Sequence, residues 1–401
     1  MKIVHIYSSN RGSIGKIIAD IFKTLEKDSN IECYALLADS AGKHPDNYII
    51  FSKPIINKLN RILGRLTGFN NCFAIFTTRK LIRYLDQLQP DVIHLHNLHD
   101  GYVNLKILFD YLAKTDKPVV WTLHDCWAFT GKCPYFDITR CEKWKTGCFH
   151  CSAYKQYPKS EFDRTKYLYN LKKRLFTSVK KMVLVTPSQW LAGCVGQSYL
   201  QNIPVQVIHN GIDVGVFQPV ESNLRGKYGL IGKEIILGVA APFDRRKGIH
   251  IFERLARELP EDKYAIVMIG LSEEQIKALP ESIVKIQRTE NQNELAAWYS
   301  AADVFLNPTL EEVFGVVNVE SLACGTPVIT FKTGGSPESL TEGTGIVIEK
   351  NNYAALLQVL LEQKYKALDT NCCIERAQMF TKEKMAKQYR KLYTECIKGD
   401  K

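Results

Sequence analysis

The chain has 401 residues, of which 45% are hydrophobic, 10% aromatic and 24% charged. These proportions are close to globular averages and exclude disordered, collagen-like and coiled-coil classes. At roughly 100–200 residues per domain the length predicts two domains, and the surplus of 53 Lys and Arg over 42 Asp and Glu favours anionic partners.

The first residues predict a buried strand and contain no long apolar run of the kind found in a secretory signal. No window approaches the roughly 20 consecutive apolar residues that span a bilayer. We therefore expect a cytoplasmic protein. In such a protein the 12 cysteines indicate free thiols or a metal site more than a disulfide framework.

Short β-rich runs alternate with longer helical patterns along the whole chain, which predicts α/β domains with parallel sheets. The first half contains predicted strands at Lys2–Tyr7, Glu32–Leu37, Val92–His96, Val119–Leu123 and Met182–Val185. The second half contains predicted strands at Val205–His209, Ile235–Val239, Tyr264–Ile269, Val284–Gln287, Val304–Asn307 and Val328–Phe331.

A breaker sequence, Asn210-Gly211, separates the two halves. We predict an N-terminal domain over 1–210 and a C-terminal domain over 211–381. The final helical run, about 382–401, is followed by no strand and is expected to pack back onto the first domain.

The turn after the first strand contains Gly12, Ser13 and Gly15. Backbone N–H groups at the start of the following helix could donate hydrogen bonds to a phosphate, or the loop could line the part of the site that binds the acceptor. By itself this turn is a weak signal.

Residues 53–66 predict a basic amphipathic helix. Its apolar positions Ile55, Leu59, Ile62 and Leu66 repeat at helical spacing, while Lys58, Arg61 and Arg65 lie on other faces. Such a helix can lie on an anionic membrane, which would place the protein at the inner face of that membrane. It can equally cover the core of the first domain, which is the more common arrangement.

Polar residues cluster where two strands of the first half end. His94 and His96 lie two residues apart on a strand, with His99 just beyond, and could form a metal triad or simply line a ligand site. His124 follows the next strand. We identify His96, Asn97 and Asp125 as candidates for acceptor contact.

Four cysteines, Cys133, Cys141, Cys148 and Cys151, fall in a loop-rich insertion after His124. Four thiols with one Cys-x2-Cys pair could hold structural zinc tetrahedrally. Reduced thiols without a metal are an equal alternative, and a disulfide is a further one. A metal here would order the acceptor-side loop and would take no part in catalysis.

Three cations, Arg245, Arg246 and Lys247, follow the strand Ile235–Val239 and precede a helical run. The carboxyl end of a strand is where open α/β sheets bind ligands. Fixed positive charge stabilises a departing diphosphate without a metal ion.

The segment from Glu312 to Glu320 follows a strand and opens a helix. With Gly315 near the helix start, Glu312 stays in the loop while Glu320 lies one to two turns inside. The N–H groups of a helix N-terminus suit a diphosphate, and each carboxylate can accept hydrogen bonds from vicinal hydroxyls.

This stretch resembles the Glu-x7-Glu signature of the family-four retaining glycosyltransferases (glycosyl transferases group 1), which have the α/β GT-B fold. The likeness extends to the first turn, the Leu-His-Asp segment at His124, Asn210-Gly211-Ile212-Asp213, Arg246-Lys247-Gly248 and Gly334-Gly335-Ser336-Pro337-Glu338. It implies two Rossmann-like domains whose parallel sheets face a central cleft.

The resemblance also implies roles for individual residues. Glu312 and His124 would contact the transferred sugar, Glu320 the nucleotide ribose, and Arg246 and Lys247 the diphosphate. The helix start would add donor contacts from Phe314, Gly315 and Val316, with Arg245 nearby. The family usually has a Gly-Arg pair where this chain has Ala240-Ala241, which leaves the arginine assignment to Arg246 or Arg245.

The expected activity is retaining transfer of a sugar from a UDP- or GDP-sugar to a glycan or lipid-linked acceptor, without a catalytic cofactor, in cell-surface polysaccharide synthesis. A nucleotide-sugar epimerase of related fold and a noncatalytic nucleotide-sugar-binding protein are the alternatives. The sequence contains no helix-turn-helix, aromatic RNA motif or paired zinc knuckles, so we expect no nucleic-acid partner.

Overall fold

The computed structural model describes residues 1–40, 42 and 44–399, and the chain divides into two compact units. The first comprises Met1–His209 together with the chain from Met385 onward, and the second comprises Asn210–Lys384. Each contains one parallel sheet, of seven strands and six strands respectively. The predicted pair of parallel-sheet α/β domains is confirmed.

The first unit has strands β1 to β7 in the order β3-β2-β1-β4-β5-β6-β7, all parallel. Their bounds are β1 Lys2–Ser9, β2 Glu32–Asp39, β3 Tyr48–Ile50, β4 Val92–Leu95, β5 Val119–Thr122, β6 Met182–Thr186 and β7 Val205–Val207. Its helices are α1 Gly12–Leu25, α2 Pro54–Thr67, α3 Ile75–Leu88, α4 Leu105–Leu112, α5 Thr165–Phe176 and α6 Gln189–Gly196.

The second unit has strands β8 to β13 in the order β10-β9-β8-β11-β12-β13. Their bounds are β8 Glu234–Val239, β9 Tyr264–Ile269, β10 Ile283–Ile286, β11 Val304–Asn307, β12 Val328–Phe331 and β13 Gly345–Ile348. Its helices are α7 Leu224–Lys227, α8 Ile249–Glu258, α9 Glu273–Ala278, α10 Gln292–Ala301, α11 Val316–Ala323, α12 Tyr353–Leu361 and α13 Thr370–Ala377. The last helix, α14 Lys382–Lys398, runs from this unit into the first.

Both sheets are covered by helices on both faces, which explains why their strands are almost continuously apolar. In β8, Ile235 and Leu237 enter one core cluster while Ile236 enters another, as the alternation of side chains along a strand requires. In the first unit, Met385, Tyr389 and Tyr393 of α14 join the core formed by β1, β2 and α1.

Two predictions from the sequence are corrected. The run predicted at Val205–His209 does not begin the second sheet, because Val205–Val207 pairs with β6 and forms the edge of the first. The short strands β3 and β13 were not predicted.

In the first sheet β2 lies on one side of β1 and β4 lies on the other, and in the second sheet β9 and β11 flank β8 in the same way. The strand order therefore reverses direction between β1 and β4 and between β8 and β11, and each of these places is a topological switch point. Loops at the carboxyl ends of the strands beside such a point diverge and leave room for a ligand. The topology therefore points to the loops that follow β1, β4, β8 and β11.

Helix α2 exposes the apolar stripe that the sequence predicts. Ile55 is 67% exposed, Leu59 52% and Leu66 53%, whereas the helix buries Asn57 and Gly64 against its own unit. The Asn57 side chain donates to the Ala38 carbonyl at 2.9 Å and accepts from Ser52 at 2.6 Å. Polar and small residues thus attach this helix, and the stripe does not cover the domain core.

Among the described residues, no helix has both the length and the apolar character needed to cross a membrane.

Candidate active site

The second unit places Lys247 against Glu312 at the carboxyl edge of its sheet. The Lys247 Nζ lies 2.5 Å from a Glu312 carboxylate oxygen, and the other oxygen accepts from the Val313 N–H at 3.0 Å. The two side chains are 20% and 13% exposed. Burial alone would raise the pKa of Glu312, but the charge and hydrogen bond of Lys247 outweigh it and hold that pKa below its usual value.

The loops carrying these two residues are joined through their backbones. The Leu310 N–H donates to the Arg246 carbonyl at 2.7 Å. At Gly248, φ is +77° and a Cβ would lie 2.5 Å from the Pro308 carbonyl oxygen, so this close approach requires glycine. The loop after β8 and the loop after β11 therefore form one framework at the switch point.

Of the other two cations, Arg246 approaches Asp244, with 3.7 Å between Nε and the carboxylate, and is partly exposed. Arg245 is exposed. Both lie within the same short loop as Lys247, and the charge of Arg246 also contributes to lowering the pKa of Glu312.

Helix α11 begins where the sequence predicts. Gly315 caps it with φ +79° and ψ +68°, and no side chain caps the helix there. Its first N–H groups have no partner within the helix, which gives this end a partial positive charge. Val316 is half-buried, whereas the Phe314 ring is buried and packs 5.5 Å from Phe380, so any donor contact from Phe314 comes from its backbone.

Glu320 lies inside α11 and is 9% exposed. The Tyr299 hydroxyl donates to its carboxylate at 3.2 Å. Burial raises the pKa of Tyr299 well above its usual value, so this phenol stays protonated and keeps its donor role.

Asn318, which the sequence analysis did not identify, holds α11 in place. Its amide donates to the Ser336 carbonyl and hydroxyl and to the Ser339 hydroxyl at 3.0–3.1 Å, while its carbonyl accepts from Asn307 at 2.8 Å. The available signal was a buried-type amide side chain between valines in the first turn of the helix. Gly334 completes the support, because with φ +53° a Cβ there would overlap the Glu312 carbonyl.

The first unit brings His124 and His96 together at the ends of β5 and β4. The His96 Nδ1 lies 3.0 Å from the His124 Nε2, and the His96 Nε2 lies 3.0 Å from the His5 Nδ1. Burial lowers the pKa of His5 to about 3 and that of His124 to about 4, and it lowers the pKa of His96 well below its usual value. The result is a hydrogen-bonded chain of three neutral imidazoles.

The possible metal triad of the sequence analysis is not formed as proposed, because His99 pairs with Asp125 at 2.8 Å. Within the part of the chain that the structure describes, the metal-like group is instead His5, His94 and His96. The His94 nitrogens are occupied by the hydroxyls of Tyr393 and Thr122, at 2.7 and 2.8 Å. We interpret this group as a hydrogen-bonded core network.

The remaining first-unit candidates lie near the same edge. Asp125 accepts from the Trp127 N–H at 2.9 Å as well as pairing with His99, and Asn97 is half-buried beside His96. Gly12 and Ser13 are exposed at the start of α1. A Cβ on Gly15 would overlap the Asn10 carbonyl, so this glycine is required for packing of the loop on the helix.

Family comparisons identify both halves. Residues 220–379 match the family described as Glycosyl transferases group 1, and residues 29–216 match Glycosyltransferase Family 4. Together these matches cover most of the chain, and the protein is a glycosyltransferase of the GT-B type.

Relatives link this class to bacterial polysaccharides. The chain is 28% identical over 282 residues to the putative colanic acid biosynthesis glycosyl transferase WcaC of Escherichia coli, covering 67% of each chain. It is 22% identical to an uncharacterized 41.2 kDa protein in the cps region of Klebsiella pneumoniae, covering 90% of this chain and 89% of the other.

Solved structures share the fold. Sucrose-phosphate synthase from Thermosynechococcus elongatus superposes with a TM-score of 0.73 at 17% identity over 99% of both chains. Anabaena HepE in complex with UDP-glucose superposes with a TM-score of 0.68 at 15% identity, covering 98% of this chain and 99% of that one.

Proposed function

We propose that the protein transfers a sugar, with retention of anomeric configuration, from a UDP- or GDP-sugar to a hydroxyl of a glycan or lipid-linked acceptor in cell-surface polysaccharide synthesis. The observation that carries this proposal is the Lys247–Glu312 pair beside the start of α11 at the switch point of the second sheet. The similarity to WcaC supports the polysaccharide role, and HepE, a structural neighbour, binds UDP-glucose.

In this mechanism the diphosphate is bound by Lys247, Arg246 and the N–H groups near Gly315. Fixed positive charge stabilises the leaving group as the bond to the anomeric carbon breaks. Glu312 orients the hydroxyls of the transferred sugar, and Glu320 accepts from the ribose. No cofactor is assigned a step.

His124 contacts the donor sugar in this proposal and acts as a neutral group. With its pKa lowered to about 4 by burial, it is uncharged at neutral pH and exchanges hydrogen bonds without repelling an oxocarbenium-like centre. The acceptor hydroxyl attacks from the face that the diphosphate leaves. Its proton passes to a leaving-group oxygen, so no protein base is required.

A panel of UDP- and GDP-sugars tests this assignment through release of nucleoside diphosphate, with Glu312→Gln as the comparison. We expect one donor to be hydrolysed slowly without acceptor, and early NMR spectra to show the freed sugar in the donor's anomeric configuration. Release of the opposite anomer would exclude retention. A sugar recovered with an inverted ring carbon would indicate the epimerase, and binding without turnover in the presence of candidate acceptors would indicate a binding protein.

We further propose that α2 brings the enzyme to an anionic lipid surface. Its exposed stripe includes Ile55, Leu59 and Leu66, which could enter the apolar interior of such a membrane. Lys58 and Arg61 flank the stripe and could bind the negatively charged headgroups. Flotation with vesicles containing anionic phospholipid should recover the protein, and Leu59→Ser with Leu66→Ser should abolish recovery. Equal recovery by neutral vesicles, or by the double variant, would contradict this role.

A further inference from the structure

The chain between β5 and α5 lacks regular structure apart from two short 3-10 turns, Trp127–Phe129 and Lys143–Lys145. A segment of this length without helices or strands is uncommon in a compact domain. Cys133, Cys141, Cys148 and Cys151 all lie in it as free, half-buried thiols.

The four thiols line one cavity of about 290 Å³. The thiols of Cys133 and Cys151 share a hydrogen bond, and Cys148 lies within electrostatic range of Cys141 and Cys151. No three of these sulfur atoms, all in the described part of the chain, lie within 4.8 Å of one another. A tetrahedral site therefore requires the four sulfur atoms to move closer together around the metal.

Backbone N–H groups already point at two of the sulfurs. The Gly131 N–H donates to the Cys148 Sγ at 3.0 Å, and the Ala153 N–H bonds the Cys151 Sγ. Outer-shell donors of this kind orient metal ligands and stabilise negative charge on them.

Two buried lysines lie close to the cysteines. Lys132 is 2% exposed and Lys172 1% exposed, and both lie within electrostatic range of the cysteines. Lys172 donates to the Trp127 carbonyl at 2.5 Å and lies 3.9 Å from the centroid of its ring, while Lys132 donates to the Tyr154 carbonyl. Buried ammonium groups are costly unless opposite charge lies nearby.

We propose that Cys133, Cys141, Cys148 and Cys151 bind one structural Zn²⁺ as thiolates, and that Lys132 and Lys172 offset the negative charge of the resulting complex. Each thiol releases its proton to solvent as its Zn–S bond forms, and no electron is transferred. Four thiolates on Zn²⁺ leave a net double negative charge, which the two ammonium groups offset.

The metal would support the active site indirectly. Lys172 holds the carbonyl of Trp127, and the N–H of Trp127 donates to Asp125, the residue after His124. Ordering the cysteine loop therefore fixes the chain that follows His124.

The test uses the full-length protein, purified under reducing conditions with its affinity tag removed. Elemental analysis should find one zinc per chain. Cys148→Ser and Cys151→Ser should lose it, whereas Cys72→Ser, a half-buried cysteine outside the segment, should keep it. Replacing the metal of the unaltered chain with Co²⁺ should give the visible bands of tetrahedral cobalt with thiolate charge transfer, a readout that does not depend on the variants folding.

A protein that takes up no zinc or cobalt after loading, or that contains a Cys133–Cys151 disulfide in its native state, would overturn the proposal. Retention of zinc by Cys148→Ser and Cys151→Ser would overturn it as well. Because metal content is measured without donor or acceptor, this result is separate from the success or failure of the transferase assignment.

Discussion

The two sheets have the same strand order apart from the additional edge strand β7 of the first, but the polar groups at their carboxyl edges differ in charge. In the first unit, His5, His96 and His124 form a chain of imidazoles that burial keeps neutral. In the second, Lys247 and Glu312 form an ion pair close to the start of a helix.

This difference follows from what surrounds each edge. The imidazoles are packed among aromatic side chains, with His5 4.8 Å from Phe22 and His94 5.4 Å from Tyr389 between ring centroids. Such surroundings disfavour any charge. The second edge retains some solvent exposure and the partial positive charge of α11, which suits an anion. One fold therefore carries a chain of neutral imidazoles at one edge and an ion pair at the other, and under the proposed function these edges would bind sugar hydroxyls and phosphate respectively.

The largest test of this contrast is Lys247→Ala. Loss of this partly buried cation should lower kcat/KM for the donor by about 10²–10³-fold, since preorganised charge that stabilises a leaving group contributes energy of this size. Lys332→Ala is the matched control, because Lys332 makes an exposed ion pair with Glu349 and should leave turnover unchanged.

Donor turnover by Lys247→Ala within threefold of the unaltered enzyme would remove the charged half of the comparison. The double variant with Glu312→Gln should lose less than the product of the two single losses, because the residues contact each other. Thermal unfolding of each variant checks that the effect does not come from unfolding.

The next effect concerns the support of Glu312. Gly334→Ala should displace the Glu312 backbone, because a Cβ would overlap its carbonyl at a backbone angle that favours glycine. We expect at least a tenfold loss of donor turnover, measured by diphosphate release. In Gly343→Ala the nearest atom to the new Cβ is 3.9 Å away, so activity should be retained; equal losses in both would contradict a specific role for Gly334.

Lowering the pH should destabilise the first edge before the second. Between pH 6.5 and 4, His5 and His124 become protonated in the unfolded chain but stay neutral in the folded protein, because burial lowers their pKa. The free energy of unfolding therefore falls as the pH falls. The lowered pKa of Glu312 affects stability only at lower pH. Its contribution to the free energy of unfolding is lost as the pH falls below the usual glutamate value of 4.5. His250 in the second unit has a lowered pKa as well but is partly exposed, so its contribution is weaker.

Hydrogen exchange between pH 7 and 5, corrected for intrinsic rates, should therefore show β4 and β5 losing protection before β8 and β11. His5→Gln should reduce the slope of stability against pH by up to about 1.4 kcal/mol per pH unit. His44→Gln, at an exposed position, should leave that slope unchanged. Simultaneous loss of protection in both units would show that the histidine chain does not govern the first.

The sequence could predict the second edge more fully than the first, for a physical reason. The loop position of Glu312, the helix start at Gly315 and the interior position of Glu320 all lie within one short segment, where strand, turn and helix signals follow in order. The His5–His96 contact joins residues ninety-one positions apart, and it exists because β1 and β4 are adjacent in the sheet. Neither residue carries a local signal of its partner.

Hydrophobic patterns in the sequence also did not predict the short edge strands or the direction in which the apolar face of α2 points. The strand β3 has only three residues, which is shorter than the runs of about four to eight residues that indicate a strand in a sequence. The stripe of α2 is typical of a core-facing helix, yet the side that attaches it contains Asn57 and Gly64. Hydrophobic periodicity predicts that a helix has an apolar face, and only the packing shows where that face points.

The smallest expected effect compares one buried hydroxyl at each edge. Tyr299→Phe removes the donor to Glu320, and Tyr393→Phe removes the partner of His94. Each should cost about 1 kcal/mol of stability in thermal unfolding, the usual contribution of one hydrogen bond.

If Glu320 holds the donor, Tyr299→Phe should also raise the donor KM by about two- to fivefold. Tyr393→Phe should leave KM unaltered, because its hydroxyl supports only the core side of the histidine network. An equal rise in KM for both variants would mean that the two edges are not distinct in how they bind the donor.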